Sequence, residues 1–162
     1  MEVKSRHHLR SDAIERIETN LADSLGVDIE GETFEHVEFT DSETELVLVN
    51  DDPLITYFGA NGSEPFLTVR GANAYPPQRR VVTVDAGAVS FVSDGADVMR
   101  PGIADADTTI DAGDLVVITE QSHGKALAIG RSRVEGTELQ GDSGKVVDSL
   151  HHVGDELYNV TL

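Results

Sequence analysis

The scarcest charged side chains of this chain carry the most chemical information. It holds 12 Lys and Arg against 30 Asp and Glu, a formal net charge of -18 over 162 residues. Arg79-Arg80, Arg100, Arg131 and Arg133 therefore stand out in the second half. A guanidinium is a planar fork of donors suited to phosphate oxygens and base edges. Arg100 lies in GADVMRPGI, between Gly95 and Gly102, where glycines would let a phosphate backbone approach the loop amides. Arg131 and Arg133 share one face if the strand before them continues. The competing reading of the same spacing is a set of scattered, solvated arginines.

Other chemistries find less support. No GxGxxG follows a strand and no GxxxxGK[ST] occurs, so nucleotide enzymes lack their phosphate cradle. Gly141-Asp142-Ser143-Gly144-Lys145 reads as a surface turn. Cysteine is absent, which excludes disulfides, thiolate nucleophiles and cysteine zinc sites. The histidines fall as His7-His8, His151-His152, His36 and His123, without HExxH or His-x-His spacing, so neither a metal nor another cofactor is expected. His151, between Leu150 and Val153, is expected to be a hydrogen-bonded, partly buried imidazole. Carboxylate pairs such as Asp51-Asp52 are too numerous for any one to mark an acid and base, and no enzymatic activity is expected.

These side chains must be positioned by an alternation of strands and few helices. Ile14, Ile17, Leu21 and Leu25 recur at helical spacing after Ser11, read as the N-cap, and Gly26 supplies a left-handed stop. Strand patterns follow at 34–40, 45–50, 54–58 and 66–70, and Asn61-Gly62 is a hairpin signal between the last two. The prolines of AYPP place a domain boundary near residue 75, giving domains 1–75 and 76–162. The second opens with a strand at 81–84. Asp85 then caps a short helix that Gly95 closes. Strand patterns recur at 115–119, 125–130, 146–150 and 157–160, separated by glycine-bearing turns. Many short strands with little helix predict a small barrel or sandwich.

No apolar run reaches the length of a membrane span, and MEVKSRHHLR offers no signal-peptide core, so a cytoplasmic protein without a membrane partner is expected. The acidic residues are dispersed along the chain, and only Lys4, Lys125 and Lys145 are lysines. That pattern predicts a folded acidic surface adapted to concentrated salt, as in a halophile, where charge repulsion is screened.

Four blocks in succession, VTVDAGAVSFVSDGADVMRPGI, DAGDLVVITE, GKALAIGRSRV and VVDSLHHVGDELYNV, resemble the PUA domain, an RNA-binding pseudo-barrel. The upstream EPFLTVRGANAYPPQRR resembles the segment before that domain in proteins of the malignant T-cell amplified sequence (MCT-1-like) family and their archaeal relatives. The resemblance implies an α+β chain, with a small α/β N-terminal domain followed by a PUA-type β pseudo-barrel with short helices. It implies a non-enzymatic, translation-associated RNA-binding protein whose partners are tRNA or small-subunit ribosomal RNA and a translation factor. The alternatives are an accessory tRNA-binding module for a separate RNA-modification enzyme and a protein-interaction scaffold. The family's RNA surface, the short helix with its following loop and adjoining strand, maps here onto Asp85, Gly87, Gly95, Ala96, Arg100, Pro101 and Gly102. Val98 and Met99 are expected to pack. Arg79, Arg80 and Arg131 are added from position and charge.

Overall fold

A computed structural model of the chain describes residues 1–59 and 62–162. Its contacts divide it into two units, Met1–Pro76 with Val160–Leu162, and Pro77–Asn159.

The first unit is an antiparallel sheet in sequential order: β1 (Val3–His8), β2 (Phe34–Phe39), β3 (Glu45–Val49), β4 (Asp52–Phe58) and β5 (Glu64–Leu67). Helix α1 (Ser11–Leu25) buries Ile17, Leu21 and Leu25 and ends at Gly26 with φ 68°. The helix begins one residue earlier than expected: Arg10 occupies the cap position and Ser11 is already helical. Asp12 still places a carboxylate in the first turn, where the helix dipole favours it. The polar opening segment forms β1, which pairs with β2. As an edge strand exposed along most of its length, β1 has no buried face to leave an apolar pattern in the sequence. β3 and β4 are joined through Asn50 and Asp51, at φ 51° and 72°, the two left-handed residues of a type I′ hairpin turn. The Asn61-Gly62 signal lies, at Asn61, outside the described residues, but the hairpin arms do pair, Phe58 with Glu64 and Ile55 with Leu67.

The expected strand at 66–70 ends early. Thr68 accepts from Gly71 N at 3.0 Å and caps α2 (Val69–Ala74). A Cβ on Gly71 would lie 2.1 Å from the Leu54 carbonyl oxygen, so only glycine lets this helix sit so close to β4.

The second unit is a six-stranded sheet in the order β7-β11-β10-β9-β6-β8, with β6 (Val81–Val84), β7 (Val98–Met99), β8 (Ile103–Ala106), β9 (Leu115–Glu120), β10 (Ala126–Ser132) and β11 (Lys145–His152). β6 pairs with β9 in parallel and with β8 antiparallel. The outer strands β7 and β8 are consecutive in the chain, joined only by a 3-10 turn at Arg100–Gly102. That turn draws the two edges together into a nearly closed barrel, which limits exposed sheet edges. The interior is aliphatic, with Val82, Val84, Val116, Ile118, Ala128, Val146 and Val147 at most 1 % exposed. Helix α3 (Val89–Ser93) follows β6. The expected strand at 157–160 is absent: Asp155 accepts from Tyr158 N at 2.8 Å, and Asn159 N bonds to its carbonyl at 3.1 Å. A turn-forming aspartate thus overrides the apolar spacing there. Among the described residues no helix is long and apolar enough to cross a membrane.

Candidate nucleic-acid interface

Asp85 follows β6 and begins the turn into α3. Its Oδ1 accepts from Ala88 N at 3.1 Å, and its own N donates to the Gly102 carbonyl at 2.9 Å. The aspartate therefore joins the strand, the helix and the 3-10 turn. At the far end of α3, Gly95 adopts φ 94°, and Gly95 N and Ala96 N bond to the carbonyls of Val92 and Phe91, each at 3.0 Å. This is the left-handed stop that the sequence predicts. Gly95 is also steric: a Cβ there would lie 2.7 Å from His152 Nε2. At Gly102 a Cβ would lie 2.9 Å from that of Ala88. Both glycines permit close packing within the barrel wall.

The helix, loop and turn enclose a cleft of about 370 Å³ lined by Asp85, Gly87, Ala88, Phe91, Val92, Ala96, Asp97, Val98, Met99, Pro101 and Gly102. Five of the expected site residues, Asp85, Gly87, Ala96, Pro101 and Gly102, are thus brought together. The wall is mainly apolar. Phe91 is 66 % exposed and Met99 47 %, whereas Val92 and Val98 are buried. Met99 therefore does not pack as expected, and Phe91 is a surface residue that the sequence reading passed over. A signal existed: adjacent apolar residues on a five-residue helix cannot both face one core. Asp97 contributes the loop's anchor. Its Oδ1 accepts from Ser149 N at 2.7 Å and its Oδ2 lies 3.2 Å from Lys145 Nζ. The backbone bond first, and then the lysine, hold its carboxyl below the usual range despite opposing burial.

The arginines are held by different turns. The Arg100 side chain runs to the 138–144 loop, where Nε donates to the Glu138 carbonyl at 2.9 Å and Nη1 to that of Ser143 at 3.0 Å. These bonds engage two of its five N–H donors. Arg80 immediately precedes β6 and Asp85 immediately follows it, so at about 3.3 Å per residue they stand roughly 16 Å apart. At the Arg80 end, Arg131 Nη1 donates to the Gly113 carbonyl at 2.8 Å, and Arg80 Nε lies 3.5 Å from Asp114 Oδ2. Both arginines therefore grip the 111–114 turn, with exposed Arg79 next to Arg80 in the chain. Arg80 has φ 57°, a conformation costly for a side-chain-bearing residue. Its N donates to Asp107 Oδ2 at 2.7 Å. Burial pushes the Asp107 carboxyl up, but the bonds from Arg80 and Thr109 outweigh it, leaving the group below its ordinary range. Arg133 pairs with Asp148, the residue directly opposite Arg131 in β11, so these two arginines do share a face.

The sequence profile of the PUA domain matches residues 80–154. An uncharacterised protein of Methanocaldococcus jannaschii is 30 % identical over 98 % of both chains. Translation machinery-associated protein 20 of Saccharomyces cerevisiae is 28 % identical over 78 % of this chain and 73 % of its own. The malignant T-cell-amplified sequence 1 homolog of Dictyostelium discoideum is 28 % identical over 70 % of this chain and 64 % of its own. Among solved structures, a conserved PUA domain protein from Thermoplasma acidophilum superposes with a TM-score of 0.82 at 28 % identity, covering 95 % of this chain and 97 % of that one.

Proposed function

Since the chain belongs to the PUA-domain family that includes the malignant T-cell-amplified sequence homologues and translation machinery-associated protein 20, we propose that it is a translation-associated RNA-binding protein which acts by binding, without catalysis, in the cytoplasm. The RNA is a tRNA or small-subunit ribosomal RNA, engaged alongside a translation-factor partner.

The observation that carries this reading is the coincidence of the apolar cleft with the expected loop: Phe91 and Met99 lie open to solvent between Asp85 and Gly102. Structured RNA is read mainly where bases are unstacked, and such bases stack on exposed aromatic faces. The cleft takes bases or a single-stranded end against Phe91. The Arg79, Arg80 and Arg131 end of the barrel lies roughly 16 Å away along β6, a span of a few nucleotides, and contacts phosphate. Arg100 adds phosphate contact through the donors that its two carbonyl bonds leave available. The unit is acidic overall, with 7 Lys and Arg against 14 Asp and Glu after residue 75. Attraction over long distances is therefore unfavourable, and recognition rests on short contacts and shape.

Ultraviolet crosslinking of the full chain to cellular RNA, with the crosslinked peptide and RNA both identified, tests the proposal. Crosslinks within 85–102 to tRNA or small-subunit RNA are expected. Crosslinks confined to the first unit, or none above a non-binding control, would overturn it.

A further inference from the structure

In the first unit, β2 carries His36 and Glu38 two residues apart, hence on one face of the sheet. The register places His7 of β1 directly opposite His36, and Glu45 of β3 directly opposite Glu38. Directly opposed residues of an antiparallel pair share a face, so three strands deliver two imidazoles and two carboxylates to one patch. His36 Nε2 lies 2.9 Å from Glu45 Oε1, and Nδ1 lies 3.9 Å from Glu38 Oε1. His36, Glu38 and Glu45 each offer a ligand atom, all within 4.8 Å of one another. The His7 ring centroid is 5.3 Å from that of His36, and Tyr57 meets the same ring edge-on at 6.3 Å.

Two features separate this patch from the many acidic pairs of the surface. Like charges directly opposite across a ladder destabilise it unless a cation lies between them, and Glu38 and Glu45 are such a pair. The group between them is an imidazole whose side chain is only 13 % exposed, so it is held in place. No spacing rule reveals this set, because its members come from three strands and lie up to 38 positions apart in the chain.

We propose that His36, Glu38 and Glu45, with His7 as the fourth ligand, bind a divalent transition-metal cation of the zinc type that clamps β1, β2 and β3. Mixed imidazole and carboxylate donors suit zinc, whereas magnesium and calcium favour oxygen alone. Tetrahedral ligands at zinc distances lie roughly 3.4 Å apart. Adjustment of two partly exposed glutamates, together with rotation of His7, closes the set.

The test uses the full chain, stripped by a chelator and held in 1 M KCl to suppress diffuse ion binding. Calorimetric titration with Zn2+ should saturate at one equivalent. Co2+ at the same site should give the visible absorption of a tetrahedral N/O complex. At a hundredfold excess over Kd, Zn2+ should raise the melting temperature by about 5 °C or more. His36→Ala should weaken binding at least about tenfold. Glu38→Gln and Glu45→Gln, which alter more exposed groups, should each weaken it too, and Asp142→Asn, in a loop of the second unit, should not. Absence of saturable uptake would overturn the proposal. Uptake unaffected by Glu38→Gln and Glu45→Gln would overturn it equally, by showing that surface charge holds the ion.

Discussion

The imidazole Nδ1 of His151 donates to Oδ2 of Asp155 across 2.8 Å, with the ring only 1 % exposed. Burial pushes the His151 pKa below its ordinary value even though the carboxylate pulls the other way, so the ring is neutral and donating in the folded protein. The Asp155 carboxyl is also lowered: burial opposes ionisation, but bonds from His152 N, Tyr158 N and His151 prevail. The sign of the linkage follows. Above about pH 6.5 His151 is neutral folded or unfolded and its contribution is complete. As pH falls below that value the unfolded chain gains a proton that the folded ring resists, so stability declines. The melting temperature should drop between pH 7 and pH 5, and His151→Asn, which keeps a donor but cannot titrate, should flatten part of that slope.

Glycine substitutions separate packing from binding. In the Gly136→Ala variant the new methyl would lie 2.1 Å from the Asp107 carbonyl oxygen, and the strain should cost on the order of 3 kcal/mol. Gly102→Ala, at 2.9 Å from the Ala88 Cβ, should cost about 1 kcal/mol. Gly87 has no such neighbour, since its nearest is Asp85 Oδ1 at 3.4 Å. Gly87→Ala should leave stability within about 0.5 kcal/mol while placing a methyl in the cleft and weakening RNA binding. Urea unfolding and RNA titration of the three variants check this ordering.

Arg100 should matter to the fold before it matters to RNA. Arg100→Ala removes both bonds to the 138–144 loop and should destabilise the protein by about 1–2 kcal/mol. It should also raise amide hydrogen exchange in that loop. Exchange unchanged at 138–144 would show that the guanidinium does not hold it.

Elements with one clear buried face were legible in the sequence, as with α1, whose Ile17, Leu21 and Leu25 all reach the core. β1 was not, because an edge strand buries neither face. α2 was not, because its identity depends on Gly71 meeting β4, a contact between distant positions. Within the cleft, Asp85 and the Gly95–Gly102 loop came from turn chemistry and family resemblance. Phe91 was missed because apolar residues are read as core by default. Spacing also could not show that Arg100 turns back onto its own barrel.

The dispersed acidity supports a further proposal, that the surface is adapted to concentrated salt. Raising KCl from 0.1 to 3 M should raise the melting temperature as self-repulsion is screened. A melting temperature that stays level or falls would remove the salt-adaptation reading while leaving the RNA site untouched.

The central claim is that RNA bases enter the cleft beside Phe91. Its most direct test is the binding isotherm of tRNA to the wild-type chain and to Phe91→Ala at one fixed KCl concentration, with thermal melting as the control for folding. Loss of a base stack is worth about 1–3 kcal/mol, so affinity should fall roughly tenfold or more while the melting temperature holds. An unchanged isotherm for a folded Phe91→Ala protein would contradict the account.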